Sequence, residues 1–536
     1  MGARKASGDN VFEARRGDNA SALAAAASAD DRPHVFLIVA DDLGYGDVSY
    51  NGDGSLTNAV ATPYLDRLAA DGITLTRFYS QCDCTPARAA LLTGRYPSNT
   101  GMQHEVVTAQ SQWSLPHEFA LLPSALPEGY RKHAIGKWDV GHARAADTPT
   151  ARGFDSHLGY YGAEITYDEH AALRSCSNGT IRDMNHDGAT LAATEDRYST
   201  HLFADHAMAL VDREADEYKL FLYLCFQAVH QPLAADAALV KRFADAFLDE
   251  SDAARSTFAA VALELDRAVE RFVEFTKARG AYDDAVFFFM SDNGATLAQS
   301  GGGSNWPLRG SKFTAYEGGV RVPAFLHSAR VPPARRGAAH AGLFHVVDVL
   351  PTLAAFAESA DRVPAGVDGV DQRDAVLHGA AAPRTEALLH ADDLGYERTS
   401  MGFWTGAFLR GRYKVVINAT AAGWCSPDSE RYRYDAKCWT LPTTYWADVH
   451  DGAGTYSQYF NESYLFDVVE DPSERTDLRA AMPEKYAELV DAFRDATAAA
   501  RETQYVADCS EAAGGDCDAL YETWIHDGAC LVSPWL

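Results

Sequence analysis

Three short, uninterrupted apolar runs constrain the fold of this 536-residue chain more than any other feature. They are His34–Ala40, Leu220–Phe226 and Ala285–Ser291, each bounded by polar residues. Runs of this length without alternation are typical of strands buried on both faces of a sheet. Because helical patterns such as Phe258–Ala278 and Val346–Ala357 lie between and after these runs, the sequence predicts an α/β domain with a mostly parallel sheet.

The pattern changes after about Ala382. Phe403–Asn418 is typical of a hairpin with a glycine-containing turn, Tyr464–Val468 of a strand and Pro483–Arg501 of a helix. We therefore predict a polar N-terminal extension over residues 1–32, a large α/β domain over 33–383 and a smaller C-terminal α+β domain over 384–536.

Charge and hydropathy exclude two classes of partner. The formal net charge of −28 argues against DNA or RNA, because nucleic-acid binders present basic surfaces. An acidic chain holds an anion only where Lys, Arg and His side chains are concentrated locally. No apolar run approaches the ~18–20 residues that a membrane-spanning helix needs, so we predict no membrane span.

Cysteine usage favours an oxidising compartment and hence the secretory pathway. The chain has nine cysteines, several of them far from any metal-binding spacing. Four N-x-[ST] sequons agree with this location; they lie at Asn19, Asn178, Asn418 and Asn461. Residues 1–32 lack the strongly apolar core of ~7–15 residues expected of a signal peptide, so the secretory location is inferred from the cysteines and sequons. The short spacings predict two disulfides, Cys425–Cys438 and Cys509–Cys517.

Polar side chains follow all three buried runs. Asp41-Asp42 comes after the first, His230 after the second and Asp292-Asn293 after the third. In open α/β sheets, ligands bind beyond the carboxyl ends of the strands, so these residues can converge on one site. Asp and Asn at strand ends also cap helices or form turns. Convergence of both acidic pairs favours a cation site instead, because Ca²⁺ and Mg²⁺ prefer carboxylate and amide oxygens.

A second candidate site begins at Cys84. Pro86 suits the first turn of a helix and Gly94 its end, which places Cys84 at the helix N-terminus, where free N–H groups favour anions. Arg88 lies one turn further on the same face. The alternative is an ordinary helix start with a buried thiol.

These motifs together resemble those of the type I sulfatases, most closely the arylsulfatase B-like branch. Cys84-x-Pro86-x-Arg88 followed by Leu92-Thr-Gly-Arg95 is similar to the signature of that family. The resemblance extends to Ala40–Gly44, Gly136–Gly141, Gln227–Pro232, Ser291–Ala295, Lys312 with Glu317–Pro323, Leu409–Val415 and Leu465–Leu478.

The resemblance implies an alkaline phosphatase-like fold with a smaller C-terminal domain that contains an antiparallel sheet. It implies that a formylglycine-generating enzyme oxidises Cys84 to formylglycine, and that the protein is lysosomal or extracellular. One Ca²⁺ ion, rather than Mg²⁺, would be bound by Asp41, Asp42, residue 84, Asp292 and Asn293. The metal ion and Arg88 would hold the aldehyde hydrate, with Lys137 beside it. Lys312 and His230 would bind the sulfate oxygens, and His230 would protonate the leaving oxygen.

Asp139 departs from the family pattern, which has His at this position. The resemblance implies that this His helps to remove the proton that starts sulfate release. The reference pKa of Asp is about 3.9 and that of His about 6.5, so Asp139 is expected to affect the sulfate-release step. His142 and His133 are candidate substitutes. We further expect Lys137 and Asp139 to project the same way from an extended segment.

Two other functions stay open alongside hydrolysis of a sulfated sugar or an aryl sulfate. A phosphate or phosphonate ester hydrolase would use the same metal-binding residues, but the Cys84 motif would then have no special function. A catalytically impaired protein that binds sulfated glycans would result if Asp139 blocked turnover.

Overall fold

The structure is a computed structural model that describes residues 31–51, 60–176, 179–191, 197–246, 253–296, 301–393, 404–419, 422, 462–505, 525–526 and 529–530. Its strands, in chain order, are β1 His34–Ala40, β2 Ile73–Leu75, β3 Phe78–Tyr79, β4 Tyr130–Lys137, β5 Ser156–Tyr160, β6 Ala171–Cys176, β7 Gly179–Arg182, β8 Asn185–His186, β9 Ala189–Thr190, β10 Lys219–Cys225, β11 Ala285–Ser291, β12 Ala324–His327, β13 Ala338–His340, β14 Phe344–His345, β15 Glu386–Asp392, β16 Thr405–Arg410, β17 Tyr413–Ala419, β18 Glu462–Asp467, β19 Ile525–His526 and β20 Ala529–Cys530.

The α-helices of the described residues are α1 Pro63–Asp71, α2 Cys84–Thr93, α3 Pro97–Thr100, α4 Leu122–Ala125, α5 Ser199–Glu214, α6 Ala237–Ala246, α7 Ala253–Ala278, α8 Glu317–Val320, α9 Val349–Phe356, α10 Arg373–His378 and α11 Pro483–Thr497. The helices expected around Phe258–Ala278 and Val346–Ala357 correspond to α7 and α9. The helix expected over Pro483–Arg501 ends earlier, at Thr497.

The three apolar runs form the centre of one large mixed sheet. Its order in the described residues is β13-β2-β12-β11-β1-β10-β4-β5-β8-β9. The five central strands from β11 to β5 are parallel, while β12, β2, β8 and β9 introduce antiparallel pairs at the two sides. Every residue of β1, β10 and β11 is buried, as the lack of alternation predicted.

Helices cover both faces of this sheet. Phe36 and Phe287 pack with Phe272 of α7 on one face, and α5 belongs to the same apolar cluster. On the other face, Leu37 shares a cluster with residues of α2 and α9. This layered arrangement confirms the predicted α/β fold class.

A second, antiparallel sheet follows in the order β15-β16-β17-β18, with α11 packed on one face. The turn between β16 and β17 contains Gly411 at φ +63°, as expected for the predicted hairpin. The antiparallel C-terminal sheet is therefore confirmed, while the proposed boundary near 383 stays a prediction.

Several sequence-based expectations lie outside the described residues. They include residues 1–30 of the extension, Asn19, Asn178, Asn461 and both predicted disulfides. Among the described cysteines, Cys82, Cys84 and Cys225 are buried free thiols. No helix in the described ranges has the length and apolar character needed to cross a membrane.

Candidate active site

The predicted site residues meet at the carboxyl edge of the central parallel strands. Asp41 and Asp42 follow β1, Asp292 follows β11 and Lys137 is the last residue of β4. Because these strands are parallel neighbours through β10, their ends open at the same edge. Residues far apart in sequence are thereby brought together, as the three polar strand ends predicted.

The two acidic pairs interlock. The backbone N–H of Asp42 donates to Asp292 Oδ1 (3.1 Å), and Asn293 Nδ2 donates to Asp42 Oδ1 (2.6 Å). Asp42 has a φ of +61°, a conformation that Asp adopts more readily than most residues. This local turn directs both pairs toward one point rather than into helix caps.

Cys84 is the first residue of α2, as predicted. Asp83 is the N-cap residue, and its Oδ1 accepts from the Cys84 N–H (2.8 Å). Gly94 ends the helix at φ +65°. The Cys84 Sγ lies 3.5 Å from Asp41 Oδ1 and 3.1 Å from Lys312 Nζ, and burial raises the pKa of the thiol.

Three buried cations surround these carboxylates. Arg88 contacts Asp292 Oδ2 through Nη2 (2.8 Å) and Nε (3.2 Å), Lys137 Nζ lies 2.9 Å from Asp41 Oδ2, and Lys312 Nζ lies 2.9 Å from Asp42 Oδ1. Burial alone would lower the pKa of both lysines; their anionic neighbours raise it well above its usual value. A fixed cluster of cations is what an acidic protein needs in order to bind an anion.

Close packing of the backbone supports the position of Lys137. A Cβ at Gly136 would lie 1.8 Å from the Cys225 carbonyl oxygen, so this position excludes any side chain. Gly136 also has a φ of +91°. The glycine therefore lets β4 lie against β10 while its next residue reaches Asp41.

His230 completes the group of buried side chains. Its Nδ1 lies 2.6 Å from the carbonyl oxygen of Gln231, which can only accept, so Nδ1 carries a proton. The Nε2 atom lies 3.2 Å from Lys312 Nζ and 3.7 Å from Asp42 Oδ2. The hydrogen bond from Nδ1 to the Gln231 carbonyl orients the imidazole so that Nε2 faces the site.

Asp139 lies inside the site, although its backbone differs from the extended conformation we predicted. Its φ is +54°, so the expectation of an extended segment was wrong at this residue. The turn nevertheless places Asp139 Oδ2 3.6 Å from Lys137 Nζ and 4.0 Å from Arg88 Nε. Oδ1 accepts from the Thr85 hydroxyl (2.6 Å), and burial raises the pKa of the carboxyl.

The two candidate substitutes for the family histidine have partners elsewhere. His133 contacts Ser156 Oγ (2.7 Å) and Glu214 (3.1 Å). His142 contacts the carbonyl oxygen of Ala109 (3.2 Å) and stacks on a tyrosine ring. Asp139, rather than either histidine, therefore lies next to Thr85, the residue that follows Cys84.

The arrangement fits a divalent cation. Five buried carboxyl side chains lie at this edge, on Asp41, Asp42, Asp83, Asp139 and Asp292, against the three cations Arg88, Lys137 and Lys312. Ligand atoms of Asp41, Asp42, Cys84 and His230 lie within 4.8 Å of one another. Asn293 Oδ1 is buried without a hydrogen-bond partner. The excess negative charge and the unpartnered oxygen are what a hard cation would satisfy.

Sequence reasoning missed two neighbours of Cys84. Asp83 lies 3.9 Å from Lys312 Nζ, and burial raises its pKa to about 6. Thr85 links Asp139 to the backbone N–H of Val107 (2.9 Å). An Asp directly before a predicted helix start is an N-cap signal that could have identified the first; nothing in the sequence pattern marked the second.

Comparisons with known proteins agree with this geometry. A family model described as "Sulfatase" matches residues 33–359. Arylsulfatase J of Mus musculus is 32% identical over 465 residues, covering 84% of this chain and 73% of its own. N-acetylgalactosamine-6-sulfatase of Homo sapiens is 29% identical over 406 residues, covering 72% and 74%. The crystal structure of Ps i-CgsB in complex with k-i-k-neocarrahexaose superposes with a TM-score of 0.71 at 25% identity, covering 91% of this chain and 98% of that one.

Proposed function

The chain belongs to the sulfatase family and is a sulfuric ester hydrolase, and we propose that it acts through a formylglycine formed from Cys84 beside a bound Ca²⁺ ion. One observation carries the proposal. The Cys84 side chain begins a helix, lies 3.1 Å from Lys312 Nζ and faces the Asp41 and Asp42 carboxylates in a single buried cluster. No ordinary structural thiol needs this concentration of charge.

Asp41, Asp42, Asp292 and Asn293 would hold the metal ion together with residue 84. The charge excess favours a divalent ion, and the oxygen donors favour Ca²⁺, with Mg²⁺ as the less favoured alternative. When bound, the ion and the aldehyde hydrate supply a polarised oxygen nucleophile. Asp42 would bind the metal ion as a carboxylate, so it has to be ionised. Although burial acts to raise its pKa, Lys312, followed by His230, holds it below the usual range.

Lys312 and His230 would bind the sulfate group. The Lys312 ammonium donates toward the space beside the Cys84 Sγ, where it can neutralise charge that develops on sulfate oxygens. The Gln231 carbonyl holds the Nδ1–H of His230, so an imidazole that is protonated on both ring nitrogens would deliver its Nε2 proton to the leaving oxygen. Arg88, paired with Asp292, and Lys137, paired with Asp41, would help to hold the nucleophile.

Asp139 would act as the base for sulfate release in place of the family histidine. Its Oδ2 is buried without a hydrogen-bond partner, so a carboxylate oxygen is available to accept a proton. The Thr85 hydroxyl fixes Oδ1 and hence the orientation of the carboxylate. Burial raises the pKa of Asp139, which makes it a stronger base than an exposed Asp.

We propose a sulfated sugar as the substrate. The similar human enzyme is named for N-acetylgalactosamine 6-sulfate, and the similar crystal structure contains a neocarrahexaose. A formylglycine-generating enzyme would be the maturation partner. The protein would follow the secretory pathway to a lysosomal or extracellular location, in agreement with its sequons and cysteines.

The proposal is tested with matched ester substrates. We expect sulfate release from 4-nitrophenyl sulfate or from a panel of sulfated saccharides, and its loss in Cys84→Ala, whose fold is checked by circular dichroism. Cys225→Ala serves as a control, because it removes a different buried thiol. A preference for phosphate or phosphonate monoesters, retained in Cys84→Ala, would instead identify the other class of hydrolase.

A further inference from the structure

The loop that carries Lys312 has no regular secondary structure. The Lys312 ammonium must nevertheless stay close to three groups at the site. Lys312 Nζ lies 2.9 Å from Asp42 Oδ1, 3.1 Å from Cys84 Sγ and 3.2 Å from His230 Nε2. A lysine side chain has high rotamer entropy, so its backbone has to be held firmly for this placement to persist.

The large domain holds one side of this loop. The Lys312 N–H donates to the Ala295 carbonyl (3.1 Å), and the Phe313 N–H donates to the Cys82 carbonyl (2.7 Å). These bonds tie the loop to the strand end that carries Asp292 and to the start of α2. They do not fix the far end of the loop, where α8 begins.

Lys414 of the C-terminal sheet and Glu474, which follows β18, hold that far end through Glu317. Lys414 Nζ, on β17, lies 3.0 Å from Glu317 Oε1 and 3.0 Å from Glu474 Oε1. Glu474 Oε2 accepts from the backbone N–H of Glu317 (2.7 Å). All three side chains are fully buried. Glu317 is the first residue of α8, five positions after Lys312.

The other carboxylate oxygen of Glu317 faces the large domain. Its Oε2 accepts from the Tyr79 hydroxyl (2.9 Å) and lies 3.4 Å from Arg321 Nη1. Two carboxylates, Glu317 and Glu474, are thereby matched by two cations, Lys414 and Arg321. Removal of either cation leaves a carboxylate buried without its partner.

The near end of the same loop also rests on the C-terminal sheet. The Arg309 guanidinium lies 4.9 Å from the Tyr464 ring and 5.8 Å from the Phe466 ring, both on β18. The Gly318 N–H closes the loop by donating to the Arg309 carbonyl (2.7 Å). The loop between Arg309 and Glu317 is therefore anchored at both ends by the same sheet.

We propose that Lys414 and Glu474 are positioning residues for the reaction at residue 84, because through Glu317 they fix the loop that presents the Lys312 ammonium. This inference rests on the proposed function only for its catalytic consequence. Replacing a buried ion pair by well-packed apolar groups is often neutral or stabilising, so such a pair is weak evidence for a purely stabilising role. The need to hold the Lys312 loop in a single backbone position explains these buried charges better than a stabilising role does.

The first test measures the loop itself. We expect Lys414→Met to increase amide hydrogen exchange at least tenfold in peptides covering residues 309–320. Glu474→Gln keeps the side-chain volume and serves if Lys414→Met fails to fold. Arg412→Met is the matched control, because Arg412 pairs with Asp467 in an exposed position beside the same strand. Unchanged exchange in Lys414→Met and Glu474→Gln would overturn the proposal.

The second test measures the consequence for the reaction. A misplacement of about 1 Å can lower a rate about 10²-fold, so we expect kcat/KM to fall by about that factor in Lys414→Met, with Arg412→Met within twofold of wild type. In a Lys312→Ala background, Lys414→Met should add less than a further twofold loss, because both changes act through one ammonium. A full, additive loss in that background would overturn the proposal.

The two tests separate failure of this inference from failure of the proposed function. A wild-type protein that carries the aldehyde but releases no sulfate would contradict the proposed function. Hydrogen exchange would still decide whether Lys414 and Glu474 hold the loop.

Discussion

Replacing Asp139 tests the least typical feature of the site. Asp139→His restores the residue that the family has, and Asp139→Asn removes the negative charge while keeping the shape. Both replacements suit the backbone, because Asn, Asp and His are the non-glycine residues enriched at the positive φ that Asp139 adopts. Any change in rate should therefore report on chemistry rather than on a strained turn.

The expected magnitudes follow from basicity. General base catalysis contributes about 10²–10⁴-fold, so Asp139→Asn should lower the steady-state rate by that range. Full expression of the ~2.6-unit difference between the reference pKa values of His and Asp would raise the rate about 400-fold in Asp139→His. Because burial already raises the pKa of Asp139, we expect the gain to be nearer to about tenfold.

The assay is pre-steady-state release of the alcohol together with steady-state release of sulfate. If sulfate release limits turnover, Asp139→His raises the steady-state rate and leaves the initial burst unchanged. A lower rate in Asp139→His would show that Asp139 is an adapted base, and an unchanged rate in Asp139→Asn would refute its role as a base. A stoichiometric burst followed by no turnover in wild type would support a glycan-binding protein that no longer completes the reaction.

Three further predictions concern the metal, the stability and the covalent structure. Asp292→Ala should lose both the bound metal, measured by elemental mass spectrometry, and the activity; retention of one ion per chain would contradict the assigned ligands. Burial acts to lower the pKa of His104, but Asp392 at 2.7 Å raises it to about 9. This contribution, up to about 3 kcal/mol, is fully present below about pH 6.5 and lost as the pH rises through about 9. Denaturant unfolding should therefore show wild type losing its advantage over His104→Gln across that window, and parallel pH profiles would refute the assignment. Non-reducing peptide mapping should find Cys425 joined to Cys438, and two free thiols there would contradict this pairing.

The sequence predicted the sheet well because its central strands are buried on both faces. That environment demands continuous apolar residues, and His34–Ala40 shows the signal without alternation. Because ligands bind beyond the carboxyl ends of parallel strands, the sequence also predicted that Asp42 and Asp292 lie at the same edge of the sheet. The two residues are 250 positions apart in sequence. The helix start at Cys84 followed from Pro86 and Gly94 in the same way.

The sequence could not predict features that depend on contacts between distant segments. A lone Glu317, Lys414 or Glu474 is by default a solvated side chain, and only the packing of β17 against the large domain shows that the three are buried together. The turn at Asp139 was missed for a different reason. A positive φ at a non-glycine residue leaves little trace in hydrophobic periodicity.

The most direct test of the account is mass spectrometry of the peptide that contains residue 84, from protein produced with a formylglycine-generating enzyme. We expect the mass of formylglycine in place of Cys84, and we expect sulfate-ester hydrolysis to increase in proportion to the fraction converted. Cys84→Ala should retain the fold and lose turnover. Full hydrolytic activity in protein whose residue 84 is an unmodified thiol, or in Cys84→Ala, would contradict the account.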